Sequence, residues 1–294
     1  MTSDHARTSL GQVERLMLEL VLQGEGEAGM AAAHHLSAGG ARVRARLALH
    51  AGRALGRPES ESIAIAAACE LLHNASLVHD DLQDRDEQRR GQVAVWRRYG
   101  DAVAICVGDL MLSAAYAALG AVGASAAQLS VRMHRRIGEV IHGQCADLAL
   151  QGGVKTSLEN YERVASAKSA PLLILPLEMA LTLAGRDEAV ATATAAGSLF
   201  AIGYQIADDL EDASQDAMHQ ELNIVSVLRA SGETDPHLRA RELAICRFRQ
   251  AHAAAVTLPS GSGELLAAQA SERVDRLIQA YERVDRLTRV AELA

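Results

Sequence analysis

Two copies of one acidic spacing carry the strongest chemical signal in the sequence. Asp80-Asp81-Leu82-Gln83-Asp84 and Asp208-Asp209-Leu210-Glu211-Asp212 both read DDxxD. At 3.6 residues per turn, Asp80 and Asp84 share a helix face, as do Asp208 and Asp212. Like charges one turn apart repel by roughly 0.2–0.5 kcal/mol in an isolated helix. Each cluster also ends an apolar run, where uncompensated carboxylates cost more. Oxygen-only donors suit hard cations, and Mg2+ takes one or two carboxylates and completes its octahedron with phosphate oxygens and water. A single DDxxD reads equally well as a solvated acidic face. Two of them, each closing an apolar helix, point to paired carboxylate walls that hold Mg2+ against a phosphorylated ligand.

Groups that could grip such an anion lie nearby in the chain. The first cluster runs on through Arg85-Asp86-Glu87-Gln88-Arg89-Arg90-Gly91, and adjacent arginines beside a metal site suit a diphosphate. Gly39-Gly40-Ala41-Arg42-Val43-Arg44 is a turn followed by alternate arginines, again fit for an anion but weak alone. His73 lies two turns before Asp80 on the same face. Gln144 and Asp147 are i, i+3 on another helix, Lys168-Ser169 interrupts a largely uncharged stretch, and Gln205 precedes Asp208 by one turn.

The elements that must position these residues read as helices. Apolar stretches at residues 60–91, 101–119, 130–150, 187–212, 239–256 and 264–293 are separated by Gly and Pro signals. No alternating run demands a sheet. The chain has 294 residues, 49% hydrophobic but only 3% aromatic, with five prolines, so its apolar volume comes from Ala, Leu, Val and Ile. That composition favours one large helical domain over residues 1–294, with no linker to divide it. The net charge of −8 argues against a nucleic-acid binder, yet permits anionic ligands where a metal reverses the local sign. Cys69, Cys106, Cys145 and Cys246 lie far apart with no zinc spacing, which leads us to expect buried free thiols in a reducing cytoplasm. The N-terminus lacks the apolar run of a signal peptide. Residues 110–129 carry no charge, but their Ala, Gly and Ser content reads as a buried helix and not a membrane span.

With GGARVR, LLHNASLVHDDLQDRDEQRRG, YGDAVAICVGDLML, GQCADL, AKSAP and YQIADDLEDASQD in order, the sequence resembles the trans-isoprenyl diphosphate synthases, the polyprenyl synthetase family. The resemblance implies an all-α bundle, the isoprenoid synthase fold, around a central cavity, and a homodimer. It implies an enzyme that joins an allylic diphosphate to isopentenyl diphosphate, with Mg2+, three ions when substrate is bound. By position Asp80, Asp84 and Asp208 look like metal ligands, with Asp81, Asp209 and Asp212 in support. Gln144 and Asp147 look like the element that backs the metals. Arg89 and Lys168 would hold the allylic diphosphate, and Arg44, His73 and Arg90 the isopentenyl diphosphate. Ser169 and Gln205 join the substrate-binding set.

Two family lysines are absent. Ala41 stands in the first anion element, and between Asp212 and Leu222 only His219 could carry a positive charge. Two alternatives therefore stand beside elongation: a class I terpene cyclase on the same fold, and a non-catalytic partner subunit of a prenyl synthase. In this family the residues four and five before the first motif often set product length. Here they are Ser76 and Ala75, both small, so the expected product is geranylgeranyl diphosphate, with farnesyl or longer as alternatives.

Overall fold

A computed structural model describes residues 2–150, 157–219 and 223–292, and side chains over residues 8–146, 148, 157–211 and 223–281. Asp147, Asp212 and His219 lie outside the described side chains. Almost every described residue in regular structure is helical. The chain divides into two compact units, Met1–Arg135 with Leu175–Asp187, and Arg136–Ile174 with Glu188–Ala294.

The first unit contains α1 (Thr2–Val21), α2 (Glu27–Ser37), α3 (Val43–Ala54) and α4 (Glu59–Asp84). A two-stranded hairpin follows, β1 (Gln88–Arg89) antiparallel to β2 (Gln92–Val93), then α5 (Val95–Tyr99), α6 (Asp101–Ala118) and a 3-10 segment, Leu119–Ser125. The helix α4 lies at its centre, against α1, α3 and α6. Ala64, Ala66, Ala67, Ala68 and Leu71 are fully buried, and a helix apolar on every side must be enclosed by others. Small side chains let those neighbours approach closely.

Two helices contribute to both units, α7 (Ala126–Leu150) and α8 (Leu158–Leu183). The second unit is completed by α9 (Val190–His219), α10 (Ile224–Ala230), α11 (Pro236–Ala255) and α12 (Glu264–Glu292). Here α9 packs on α11, with Phe200 edge-on to Phe248 at 5.3 Å, and α11 packs on α12.

Three local expectations from the sequence fail. The first is a helix running from residue 60 to 91; α4 stops at Asp84. Its last turn carries aspartates and no basic residue, the wrong charge for a helix C-terminus, and Arg85 turns into the left-handed region at φ 59°. The second is the uncharged 110–129 run, which is one helix only as far as Ala118 and breaks at Gly123. The third concerns the cysteines: only Cys69 is buried, and Cys106, Cys145 and Cys246 are exposed. By length and composition alone, Asp101–Ala146, Leu158–Leu183 and Asp187–Glu211 could each cross a membrane. The Leu158–Leu183 segment is also the one whose apolar window is 78% buried, so core packing already accounts for it.

Candidate functional site

Within the first unit the chemistry gathers where α4 ends. Asp80 is half-buried, Asp84 is exposed, and Asp81 between them is only 1% exposed. The first and fifth positions of the motif thus turn outward and the second turns in. Asp81 pairs there with Arg89, whose Nε donates to Asp81 Oδ1 at 2.7 Å and whose second nitrogen donates to the same oxygen. Arg89 also donates to Asp86 at 3.0 Å. Burial raises the pKa of Asp81, and the bonds from Arg89 oppose that shift.

The hairpin that carries Arg89 and Arg90 is pinned at its base. Arg85 donates to both oxygens of Asp101 at 3.0 Å and lies 5.0 Å from the Trp96 ring centroid. The Trp96 indole N–H donates to Asp86 O at 2.7 Å. At the tip Arg90 takes a positive φ of 52° and donates to Gly39 O. Its guanidinium lies against Gly40, where a Cβ would come within 2.7 Å of Arg90 Cζ. The GGARVR and RRG elements, far apart in sequence, are therefore one contact.

Histidines flank this cationic patch. Burial, then the charges of Arg44 and Arg90, push the pKa of half-buried His73 well down. His35, which sequence reasoning missed, bonds Asn74 at 3.2 Å, and burial followed by Arg90 lowers it to about 4. Both imidazoles are neutral near pH 7. His35 gives its one N–H to Asn74 Oδ1, so of the two only His73 can donate to an anion without adding charge. Arg42 does not stand in for the missing lysine at position 41. It is buried, donates to Glu14 at 3.2 Å and to Leu36 O at 3.1 Å, and lies 4.0 Å from buried Glu70. Glu70 in turn accepts the Ala45 N–H at 3.0 Å, placing negative charge at the N-terminus of α3. Ala75 is buried; Ser76 is half-buried and returns its hydroxyl to His73 O at 2.9 Å.

In the second unit the first two positions of the motif divide in the same way. Asp208 is exposed and Asp209 is 3% exposed. Asp209 Oδ2 accepts the Tyr161 hydroxyl and the Ile224 N–H, each at 2.7 Å, and Oδ1 accepts the Gln205 amide at 2.8 Å. Tyr161 was not singled out from the sequence, since a lone Tyr carries no spacing signal, and Asn223 stood out there only as part of Asn223-x-x-Ser226, an incomplete cyclase-type motif with Ala230 in place of its Glu. Gln144 on α7, and Lys168 and Ser169 on α8, are all half-buried. Gly143 brings those two helices together: a Cβ there would fall 2.7–2.8 Å from the backbone of Ala167 and Lys168. Pro171, four residues beyond Ala167, cannot donate to the Ala167 carbonyl, so the close approach is made to a carbonyl left without its helical donor.

Among the described residues no three Asp, Glu, His or Cys side chains converge to cage a metal. Hard oxygens on one helix face still fit Mg2+, which leaves most of its shell to water and phosphate. Asp80, Asp84 and Asp208 are the described donors suited to it.

Comparison with known proteins agrees with this arrangement. A model of the Polyprenyl synthetase family matches residues 27–226. A (2E,6E)-farnesyl diphosphate synthase of Mycobacterium bovis is 37% identical over 177 residues, 58% of this chain and 48% of that protein. The match thus spans about half of that relative's length. A geranylgeranyl pyrophosphate synthase of Geoglobus acetivorans is 32% identical over 215 residues, 72% of this chain and 66% of that one. The solved structure of a geranylgeranyl pyrophosphate synthetase from the same archaeon superposes with a TM-score of 0.80 at 26% identity, over 92% of this chain and 98% of that chain. With both DDxxD motifs inside a family match that covers well over half of its length, this chain belongs to the polyprenyl synthetase family.

Proposed function

We propose that the chain is a prenyltransferase that joins an allylic diphosphate to isopentenyl diphosphate, head to tail. The observation that carries this reading is the repeated split of the DDxxD motifs. In each, the second aspartate is buried and bonded to the protein, while the first stays accessible. That is the arrangement expected of carboxylates kept for a metal–diphosphate ligand. Bound Mg2+ would supply neutralisation of the charge that grows on the departing diphosphate.

The side chains have separate tasks in this scheme. Arg89 and Lys168 grip the allylic diphosphate, and Arg44, Arg90 and neutral His73 hold isopentenyl diphosphate. The allylic C–O bond breaks and its electron pair leaves on the diphosphate. The double bond of isopentenyl diphosphate then forms the new C–C bond to that carbon. A proton is lost from the adjacent carbon to the released diphosphate, so no side-chain base is assigned. A geranylgeranyl product is part of this proposal, on the ground that the side chains of Ala75 and Ser76, one turn before the motif, are small.

A homodimer belongs to the same proposal. On α6, Ala102, Ile105 and Cys106 form an exposed, mostly apolar face, and Ile105 is 50% exposed. The test of the function is incubation of the purified chain with Mg2+, labelled isopentenyl diphosphate and dimethylallyl, geranyl or farnesyl diphosphate in turn. Elongated diphosphates ending at geranylgeranyl are expected. A hydrocarbon made without isopentenyl diphosphate would mean a cyclase. No turnover alone, but altered products when mixed with an active prenyl synthase, would mean a partner subunit.

A further inference from the structure

The carboxylate of Asp209 is the meeting point of three helices. Tyr161 reaches it from α8, buried to 2% exposure, and donates its hydroxyl at 2.7 Å. Gln205 donates from one turn earlier on α9, and the Ile224 N–H donates from the first residue of α10. Asn223 closes the junction. Its amide donates to Asp209 O at 2.8 Å, and its side-chain oxygen caps α10 by accepting the Val225 N–H at 2.8 Å.

A buried carboxylate needs hydrogen-bond donors on both oxygens, and three donors from three helices supply them here. The consequence is geometric. Adjacent residues on a helix point about 100° apart, so fixing the direction of Asp209 fixes that of Asp208. The Tyr161 hydroxyl stays protonated, because burial and then the adjacent Asp209 charge raise its pKa well above the usual value. It is a permanent donor. Tyr161 also lies two turns before Lys168 on α8, so one bond ties the helix of the cation to the helix of the second acidic motif.

Resting on the prenyltransferase reading above, we infer that Tyr161 and Asn223 are positioning residues, which lock the rotation of α9 through Asp209 and so aim Asp208 at a metal–diphosphate ligand. The experiment is calorimetric binding of inorganic pyrophosphate, with and without Mg2+, to the wild-type chain, Tyr161→Phe and Asn223→Ser. The serine keeps a cap for α10 and shortens the reach to Asp209 O. Melting temperature is recorded for each, and KM and kcat are measured with an allylic diphosphate. The Mg2+-dependent part of the pyrophosphate affinity should fall about tenfold in either variant that remains folded, while the Mg2+-independent part holds. The KM for the allylic diphosphate should rise alongside. A lowered melting temperature with unchanged Mg2+ dependence in both variants would make the junction merely structural and overturn the inference. Wild-type protein with no Mg2+-dependent pyrophosphate binding would overturn both the inference and the reading beneath it.

Discussion

Asp81 and Asp209 hold the same motif position and meet the same physical problem with different chemistry. A carboxylate turned into the protein needs compensation; Asp81 has a guanidinium, and Asp209 has three neutral donors. Arg89 thereby arrives at the motif already oriented. The histidines in the cationic patch have a cost that acid exposes. His35 titrates at about 4 in the fold against 6.5 when free, for burial first and then Arg90, with Arg89 and His34 adding to it and the bond to Asn74 opposing. Between those values the unfolded chain binds the proton and the fold does not, so stability falls as pH falls from 6.5 to 4. The full loss is roughly 3 kcal/mol, from 1.36 kcal/mol per pKa unit. Urea denaturation at neutral pH and near pH 4.5 should show His35→Gln losing about 2 kcal/mol less than wild type, and equal losses would exclude His35 as the cause. Ser76 sets a second expectation at a single side chain. Ser76→Phe places a ring one turn from Asp80, and chromatography of the products should show farnesyl replacing geranylgeranyl diphosphate; an unchanged distribution would put the limit on chain length elsewhere.

The helices α7 and α8 meet across Gly143, which is why the GQ and AKSAP segments belong to one site. A methyl group there must force the backbones apart. Gly143→Ala should cost about 1–3 kcal/mol by overpacking, read as a lower melting temperature. It should also lower kcat/KM about tenfold or more as Gln144 and Lys168 separate; wild-type kinetics would show that the approach matters only to packing. Much at this level was legible in the sequence. The strong runs bounded by Gly or Pro became α6, α7, α9, α11 and α12, and α4, whose expected run overshot its end at Asp84. The helix α8 was not legible, because residues 171–180 are buried on every side and leave no amphipathic period, and Pro171 and Pro176 look like breakers. The six aspartates were legible by spacing. The inward turn of Asp81 and Asp209 was not, since it depends on Arg89 folding back and on Tyr161 and Ile224 arriving from other helices.

Across the molecule, the acidic excess that argued against nucleic acid includes two motifs fitted for an anion through a metal, and the scarcity of aromatic residues fits room for a prenyl chain. Light scattering should give a mass twice the 31.2 kDa of one chain. Ile105→Glu, which puts a charge on the exposed face of α6, should give monomers; an unchanged dimer would move the interface to another surface. The reaction itself is tested most directly by stoichiometry. Purified chain with Mg2+, farnesyl diphosphate and labelled isopentenyl diphosphate should release one inorganic diphosphate for each isopentenyl unit incorporated, and none when isopentenyl diphosphate is left out. Diphosphate release that does not depend on isopentenyl diphosphate, or no release under any of these conditions, would contradict prenyl elongation by this chain.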